Sequence, residues 1–182
     1  MREQKEPTVV AVDLDRCLAC RSCELACAKA HAGFDDIVAA VLAGAHMVPR
    51  VRLVAAGQKG VPIQCQHCED APCVAVCPSG ALYRDEGTGR VLGRSGRCIG
   101  CKACVVVCPF GAAEWDRVSR SVVKCDFCAD IIAAGEDPRC VTACPTRARR
   151  VISVEDLSNR RQKDAAMRTV ALYEATRQKP EK

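Results

Sequence analysis

Sixteen cysteines in a chain of 182 residues carry most of the chemistry this sequence offers. They form four groups with none left over. CLACRSCELAC holds Cys17, Cys20, Cys23 and Cys27, and CQHCEDAPCVAVCP holds Cys65, Cys68, Cys73 and Cys77. CIGCKACVVVCP holds Cys98, Cys101, Cys104 and Cys108, and CDFCADIIAAGEDPRCVTACP holds Cys125, Cys128, Cys140 and Cys144. Each group opens CxxC and closes CxxxC, and the tails CVAVCPSGA, CVVVCPFGA and CVTACPTRA repeat closely. The first tail, CELACAKAH, has Ala28 where the others have proline. Such internal repetition marks a repeated structural unit.

Thiolates in this pattern suit a cubane iron–sulfur cluster. A short CxxCxxC loop wraps one small body and presents three sulfurs, while a fourth from the same loop would strain it. A helix leaving the loop carries the fourth cysteine toward a second cluster, the arrangement known in two-cluster ferredoxins. The proline after that cysteine has a fixed φ and no N–H, so it turns the chain away. The competing reading is zinc, for which two CxxC pairs make one structural site. Zinc does not account for the third cysteine two residues on, nor for the repeated CxxxCP tail. The CxxxCxxC loop of S-adenosylmethionine radical chemistry is absent, and four thiolates per cluster leave no iron open. Saturated clusters transfer electrons, so no catalytic residue is assigned.

Composition bounds the rest. Hydrophobic residues make up 49% of the chain, but cysteine inflates that figure, and aromatics are only 3%. Large side chains dominate most cores, so cysteine chemistry is expected to hold this fold. The start, MREQKEPTVVAVDLDRC, shows no apolar signal region and no twin-arginine pair. No run of about 18 apolar residues suggests a membrane span. A cytoplasmic, reducing setting is the expectation, with free thiols and not disulfides. The formal charge is +5. Four clusters, each about −2 with its thiolates, would bring it to about −3. The basic excess therefore reads as compensation, and no aromatic-interleaved basic face points to nucleic acid.

The elements that must position the cysteines are short. Thr8–Asp13 reads as a strand leading into the first group. Ala81–Arg84 and Val91–Gly93 flank a DEGTG turn, and Ala112–Trp115 and Ser121–Lys124 flank DRVSR, as two hairpins. Arg149–Val154 gives a last strand. Asp35–Ala45 reads as a helix with acidic residues at its start, and Pro49–Val54 as a strand. Glu155–Lys179 is rich in helix formers and basic through Arg160, Arg161, Lys163, Arg168 and Arg177. It is either a solvated helix or a docking helix for a partner. Trp115 is read as a packing residue. His31, His46 and His67 are not needed as ligands, although His67 sits inside CQHC. No GxGxxG fingerprint is present for a nucleotide.

With these motifs the chain resembles the four-cluster ferredoxin-like subunits of multisubunit oxidoreductases. These are the electron-transfer subunits of molybdenum and tungsten enzymes, group 4 hydrogenases and formate hydrogenlyase. The stretches CELACAKAH, PRVRLV, VPIQCQHCEDAPCVAVCPSGAL and GRCIGCKACVVVCPFGA are most similar to the iron–sulfur partner of carbon monoxide dehydrogenase and of tungsten aldehyde oxidoreductase. The resemblance covers roughly residues 8–154. It implies an α+β fold of tandem bacterial-ferredoxin-like modules, each binding two 4Fe–4S clusters with pseudo-twofold symmetry. Residues 8–34 with 117–154 would form an outer module and 61–116 an inner one. Residues 35–60 would be an inserted cover and 155–182 a basic tail.

The resemblance also implies crossed cluster membership. Cys17, Cys20, Cys23 and Cys144 would hold one cluster, and Cys65, Cys68, Cys73 and Cys108 a second. Cys98, Cys101, Cys104 and Cys77 would hold a third, and Cys125, Cys128, Cys140 and Cys27 a fourth. The expected function is to pass single electrons along these clusters between a catalytic subunit and a redox partner, without catalysis by the chain itself. A freestanding polyferredoxin and a zinc-stabilised scaffold are the alternatives. Self-stacking of copies into a longer wire is a further expectation from the repeat.

Overall fold

The computed structural model describes residues 7–177. In chain order the elements are β1 Thr8–Val12, α1 Ser22–His31, α2 Ile37–Leu42, β2 Val51–Ala56, β3 Lys59–Gln64, α3 Pro72–Ala75, β4 Leu82–Arg84, β5 Val91–Gly93, α4 Ala103–Val107, β6 Ala113–Asp116, β7 Ser121–Lys124, α5 Ala129–Ala133, α6 Arg139–Thr142, β8 Arg149–Ser153 and α7 Val154–Arg177. The strands pair in twos: β1 with β8, β2 with β3, β4 with β5 and β6 with β7. The last three pairs are antiparallel hairpins. This is a mixed helix and small-sheet fold, as the α+β expectation holds. No described helix is long and apolar enough to cross a membrane.

Contacts divide the chain into two compact units, Met1–Ala11 with Val151–Lys182 and Val12–Arg150. In the first unit, Val154 N–H bonds the Pro7 carbonyl at 3.0 Å. Ser153 Oγ accepts the Asp156 N–H at 2.9 Å, satisfying an orphan donor of the first turn of α7. Glu155 and Asp156 place negative charge at that terminus, which the helix dipole favours. The described side chains of α7 from Glu155 on are exposed except for a half-buried Leu157. The sequence reading carries this tail to residue 182, and residues 178–182 lie outside the described part.

All the cysteines belong to the second unit. Its core is built from small residues and sulfur: Cys23, Cys27, Val51 and Cys140 form one buried cluster with Val141 against it. Helix α1 packs on α6, and α3 packs on α4. The first cysteine group is thereby joined to the fourth, and the second to the third. The eleven-residue linker of the fourth group is ordered as α5 and a turn through the fully buried Pro138 into α6.

Both hairpins flanking the central groups occur where the turns predict them. Strand β3 is an addition. Gly60 and Pro62 lie inside it, and both residues depress strand propensity. A two-stranded ribbon tolerates Pro62 because each strand has a free edge. Gly60 is also required by close approach, since a Cβ there would stand 2.7 Å from Ala19 Cβ in the first CxxC loop. The helix predicted at 35–45 is confined to Ile37–Leu42, with Asp36 Oδ1 accepting the Ala39 N–H at 2.8 Å as its cap.

Candidate metal centres

Each CxxC loop turns on the same backbone feature. The residue before the second cysteine has a positive φ in all four groups: Ala19 at 54°, His67 at 51°, Gly100 at 73° and Phe127 at 63°. Non-glycine residues rarely adopt this conformation, so three of the four loops hold a strained residue to curl round a common centre. The curl points backbone N–H groups at sulfur. His67 N–H lies 3.4 Å from Cys65 Sγ, and Phe127 N–H lies 3.3 Å from Cys125 Sγ. In the third loop Trp115 packs so tightly on Gly100 that a Cβ there would come within 2.9 Å of the indole. Trp115 is thus a packing residue, as its strand position suggests.

The tails repeat as well. Three residues past the fourth cysteine, Gly80, Gly111 and Arg147 all have positive φ, at 61°, 60° and 52°. Helices α3, α4 and α6 all end before their Cys-Pro. The first group differs: α1 continues through Cys27 to His31. Ala28 keeps the N–H and the freedom that proline lacks, so nothing breaks the helix there.

Every cysteine is a free thiol. Burial pushes Cys27 and Cys125 up to about 12. Metal binding would therefore displace protons from thiols that do not ionise by themselves. Burial also raises Cys73, and the charges of Cys65 and Cys108 raise it further. Cys104 is raised by burial, with added repulsion from Cys101, Cys77 and Cys73. Cys140 acts in the same direction on Cys23, Cys27, Cys125 and Cys128, whose shifts burial dominates. Cys20 is lowered by its hydrogen bond with Ser22, while the charge of Cys144 opposes that shift. Thiols from different groups are therefore close enough to feel one another. A cavity of about 470 Å³ has Cys98, Cys101 and Cys104 together with Cys77 of the preceding group in its lining, which also extends to His31, Arg50 and Asp126. Four cysteines lining one space fit an iron–sulfur cluster, which would supply one-electron exchange with no change of bonding to its ligands.

Several residues around the thiols carry no motif. Arg50 donates its backbone N–H to Cys27 Sγ at 3.2 Å and its guanidinium to Asp126. His31 stands 3.5 Å from the same carboxylate and is lowered by burial. His31, Asp126 and Cys128 make a compact mixed group, but Asp126 is already engaged by the Arg50 guanidinium. His67 is half-buried, and its Nδ1 accepts the Val91 N–H at 3.1 Å. Its ring meets Phe127 edge-on at 5.8 Å, and Arg90 lies 3.6 Å over that same phenyl ring. Burial drives His67 down to about 3, so it is a neutral imidazole joining the second loop to the fourth. Lys124 is buried and donates to the carbonyls of Val91 and Cys125. Arg149 is only 2% exposed. The dipeptide Arg149-Arg150 does not show which of the two points inward, and Lys124 reads from sequence as an ordinary strand end.

The family model of the 4Fe-4S dicluster domain matches residues 58–154. A protein described as an iron-sulfur protein from Rhodospirillum rubrum is 40% identical over 163 residues, covering 83% of this chain and 85% of its own. The thiosulfate reductase electron transfer subunit PhsB of Salmonella typhi is 40% identical over 144 residues, covering 77% of this chain and 72% of its own. The electron transport protein HydN of Escherichia coli strain K12 is 39% identical over 160 residues, covering 76% and 84%. With free thiols gathered in repeated loops and these relatives across most of its length, the chain belongs to the 4Fe–4S dicluster family of iron–sulfur electron-transfer proteins.

Proposed function

We propose that the chain is a non-catalytic subunit that moves single electrons along four 4Fe–4S clusters, with the fourth cysteine of each group serving another group's cluster. The observation that carries this reading is the cavity shared by Cys77 with Cys98, Cys101 and Cys104. The packing of α1 on α6 and α3 on α4 supports the same exchange. So do the influence of Cys108 on Cys73 and of Cys140 on Cys27. The two-module division is part of the proposal: 8–34 with 117–154, then 61–116, with 35–60 as cover and 155–182 as tail. The repeated positive-φ positions favour a shared ancestor for the modules and their pseudo-twofold relation.

Proximity suggests an order along the wire. The cluster of Cys17, Cys20, Cys23 and Cys144 adjoins that of Cys125, Cys128, Cys140 and Cys27 through Cys23 and Cys140. The latter adjoins the cluster of Cys65, Cys68, Cys73 and Cys108 through the His67–Phe127 contact. That cluster adjoins the one of Cys98, Cys101, Cys104 and Cys77 through Cys73 and Cys104. The outermost two have the exposed cysteines, Cys20 and Cys101. Beside them stand Leu18 and Ile99, 69% and 68% exposed. Tunnelling falls steeply with distance, so exposed apolar rims at these two clusters suit docking of an electron donor and an acceptor.

The partners on this reading are a catalytic oxidoreductase subunit and a redox subunit, in the cytoplasm. Carbon monoxide dehydrogenase or tungsten aldehyde oxidoreductase is the kind of catalytic partner proposed, on the stretches quoted from the sequence. Anaerobic purification tests both levels. About sixteen iron and sixteen sulfide per chain are expected, and abundant zinc without sulfide would reject the clusters. Copurifying proteins identify the catalytic partner, and native mass spectrometry of the complex counts copies and so tests self-stacking.

A further inference from the structure

Arg149 presents a buried positive charge to two cysteine groups at once. The residue is 2% exposed. One nitrogen, NH2, donates to Gln64 Oε1 and to Cys140 Sγ, the latter at 3.4 Å. The other two, Nε and NH1, are buried and have no hydrogen-bond partner among the described residues. The field of Arg149 also reaches Cys23, whose pKa burial raises and Arg149 pulls back down. No carboxylate pairs with it in any described ion pair. A buried guanidinium with two idle donors and no counter-charge is costly, and arginine cannot shed its proton. An anionic cluster held by the thiolates would supply the missing counter-charge.

We propose that Arg149 is a redox-positioning residue that sets the potentials of the two clusters on either side of it, by donating through Nε and NH1 to cluster sulfur and by adding positive charge between them. The proposal rests on the four-cluster reading, which puts Cys140 and Cys23 on different clusters. Reduction makes a cluster more negative, so an adjacent fixed cation stabilises the reduced form and raises the potential. Hydrogen bonds to sulfur act in the same direction, and both are established means of tuning. A single cation between neighbouring clusters raises both together and keeps the step between them small.

The test is EPR-monitored potentiometry of anaerobically purified holoprotein. Arg149→Gln keeps donors but removes the charge, and two of the midpoint potentials are expected to shift lower together while the others stay. Arg149→Lys restores the charge and is expected to bring them back toward wild type, which a purely structural role for Arg149 would not produce. Unchanged potentials in Arg149→Gln at full iron content overturn the proposal. A measurement on the wild type covers the case in which that variant fails to assemble. Protein grown with guanidinium-15N arginine should show a 15N coupling to a reduced cluster in pulsed EPR, and this coupling should vanish in Arg149→Lys. No coupling in the wild type, or one that persists in Arg149→Lys, overturns the proposal. The crossed assignment fails separately, if Cys144→Ser and Cys140→Ser remove one and the same cluster signal.

Discussion

Cys108 shows how a ligand's identity and its address differ. Its spacing marks it as a thiolate ligand, and its sequence neighbours are Cys98, Cys101 and Cys104. It also lies close enough to Cys73 of the preceding group to raise that thiol's pKa. Cys108→Ala is therefore expected to weaken or abolish the cluster of Cys65, Cys68 and Cys73 first, lowering iron by about a quarter. Comparison of its EPR spectrum with those of Cys68→Ala and Cys101→Ala decides the matter: the Cys108 variant should match the first, and a match to the second would show that each group closes on itself. All sixteen cysteines of the proposed ligand set are readable because chemistry confines cysteine spacing so tightly. Arg149, Lys124 and Gln64 are not readable, because nothing local distinguishes a buried Arg149 from the exposed Arg150 beside it.

At the scale of elements, Glu24 ties helix α1, which carries Cys23 and Cys27, to strand β2. It lies between Cys23 and Cys27 on α1 and is buried. Its Oε1 accepts the Leu53 N–H of β2 at 2.6 Å, and its Oε2 accepts from Arg21 at 3.1 Å. Glu24→Ala would leave the Leu53 N–H without a partner in a dry place, at an expected cost of about 1.5–3 kcal/mol for a hydrogen bond to a charged group. Glu24→Gln keeps an acceptor and should lose less. The check is the denaturant midpoint for loss of cluster absorbance under anaerobic conditions. An unaltered midpoint for Glu24→Ala would show that β2 is held by other contacts. Hairpins β4–β5 and β6–β7 were legible from their turns. Strand β3 was not, since Gly60 and Pro62 argue against a strand and only its pairing with β2 sustains one.

At the scale of the whole molecule, the shortage of large side chains makes the metal part of the fold. The buried cluster of the second unit contains three cysteines and a single valine. Removing the clusters would strip most of what its loops surround and leave Arg149 buried without a counter-charge. Chelation or oxidation is therefore expected to unfold the second unit, because ligand binding contributes folding free energy when the ligands are this large a share of the core. Circular dichroism and hydrodynamic radius before and after anaerobic chelation measure this, and an apo form as compact as the holo form would refute it. Helix α7 belongs to the other unit, and its side chains are exposed along nearly all its described length.

The sequence alone determined the number of thiolates, the cofactor class and the fourfold repeat. Those properties follow from short-range spacing, and four sulfurs around a cubane admit few spacings. Turn residues likewise announced two of the hairpins. Tertiary structure decided which thiolates face one another, because Cys77 reaches the cavity of Cys98, Cys101 and Cys104 only through the packing of α3 on α4. It also decided which cations go inside. A buried charge is tolerated only where something opposite in sign is brought beside it, and that depends on contacts made across the chain.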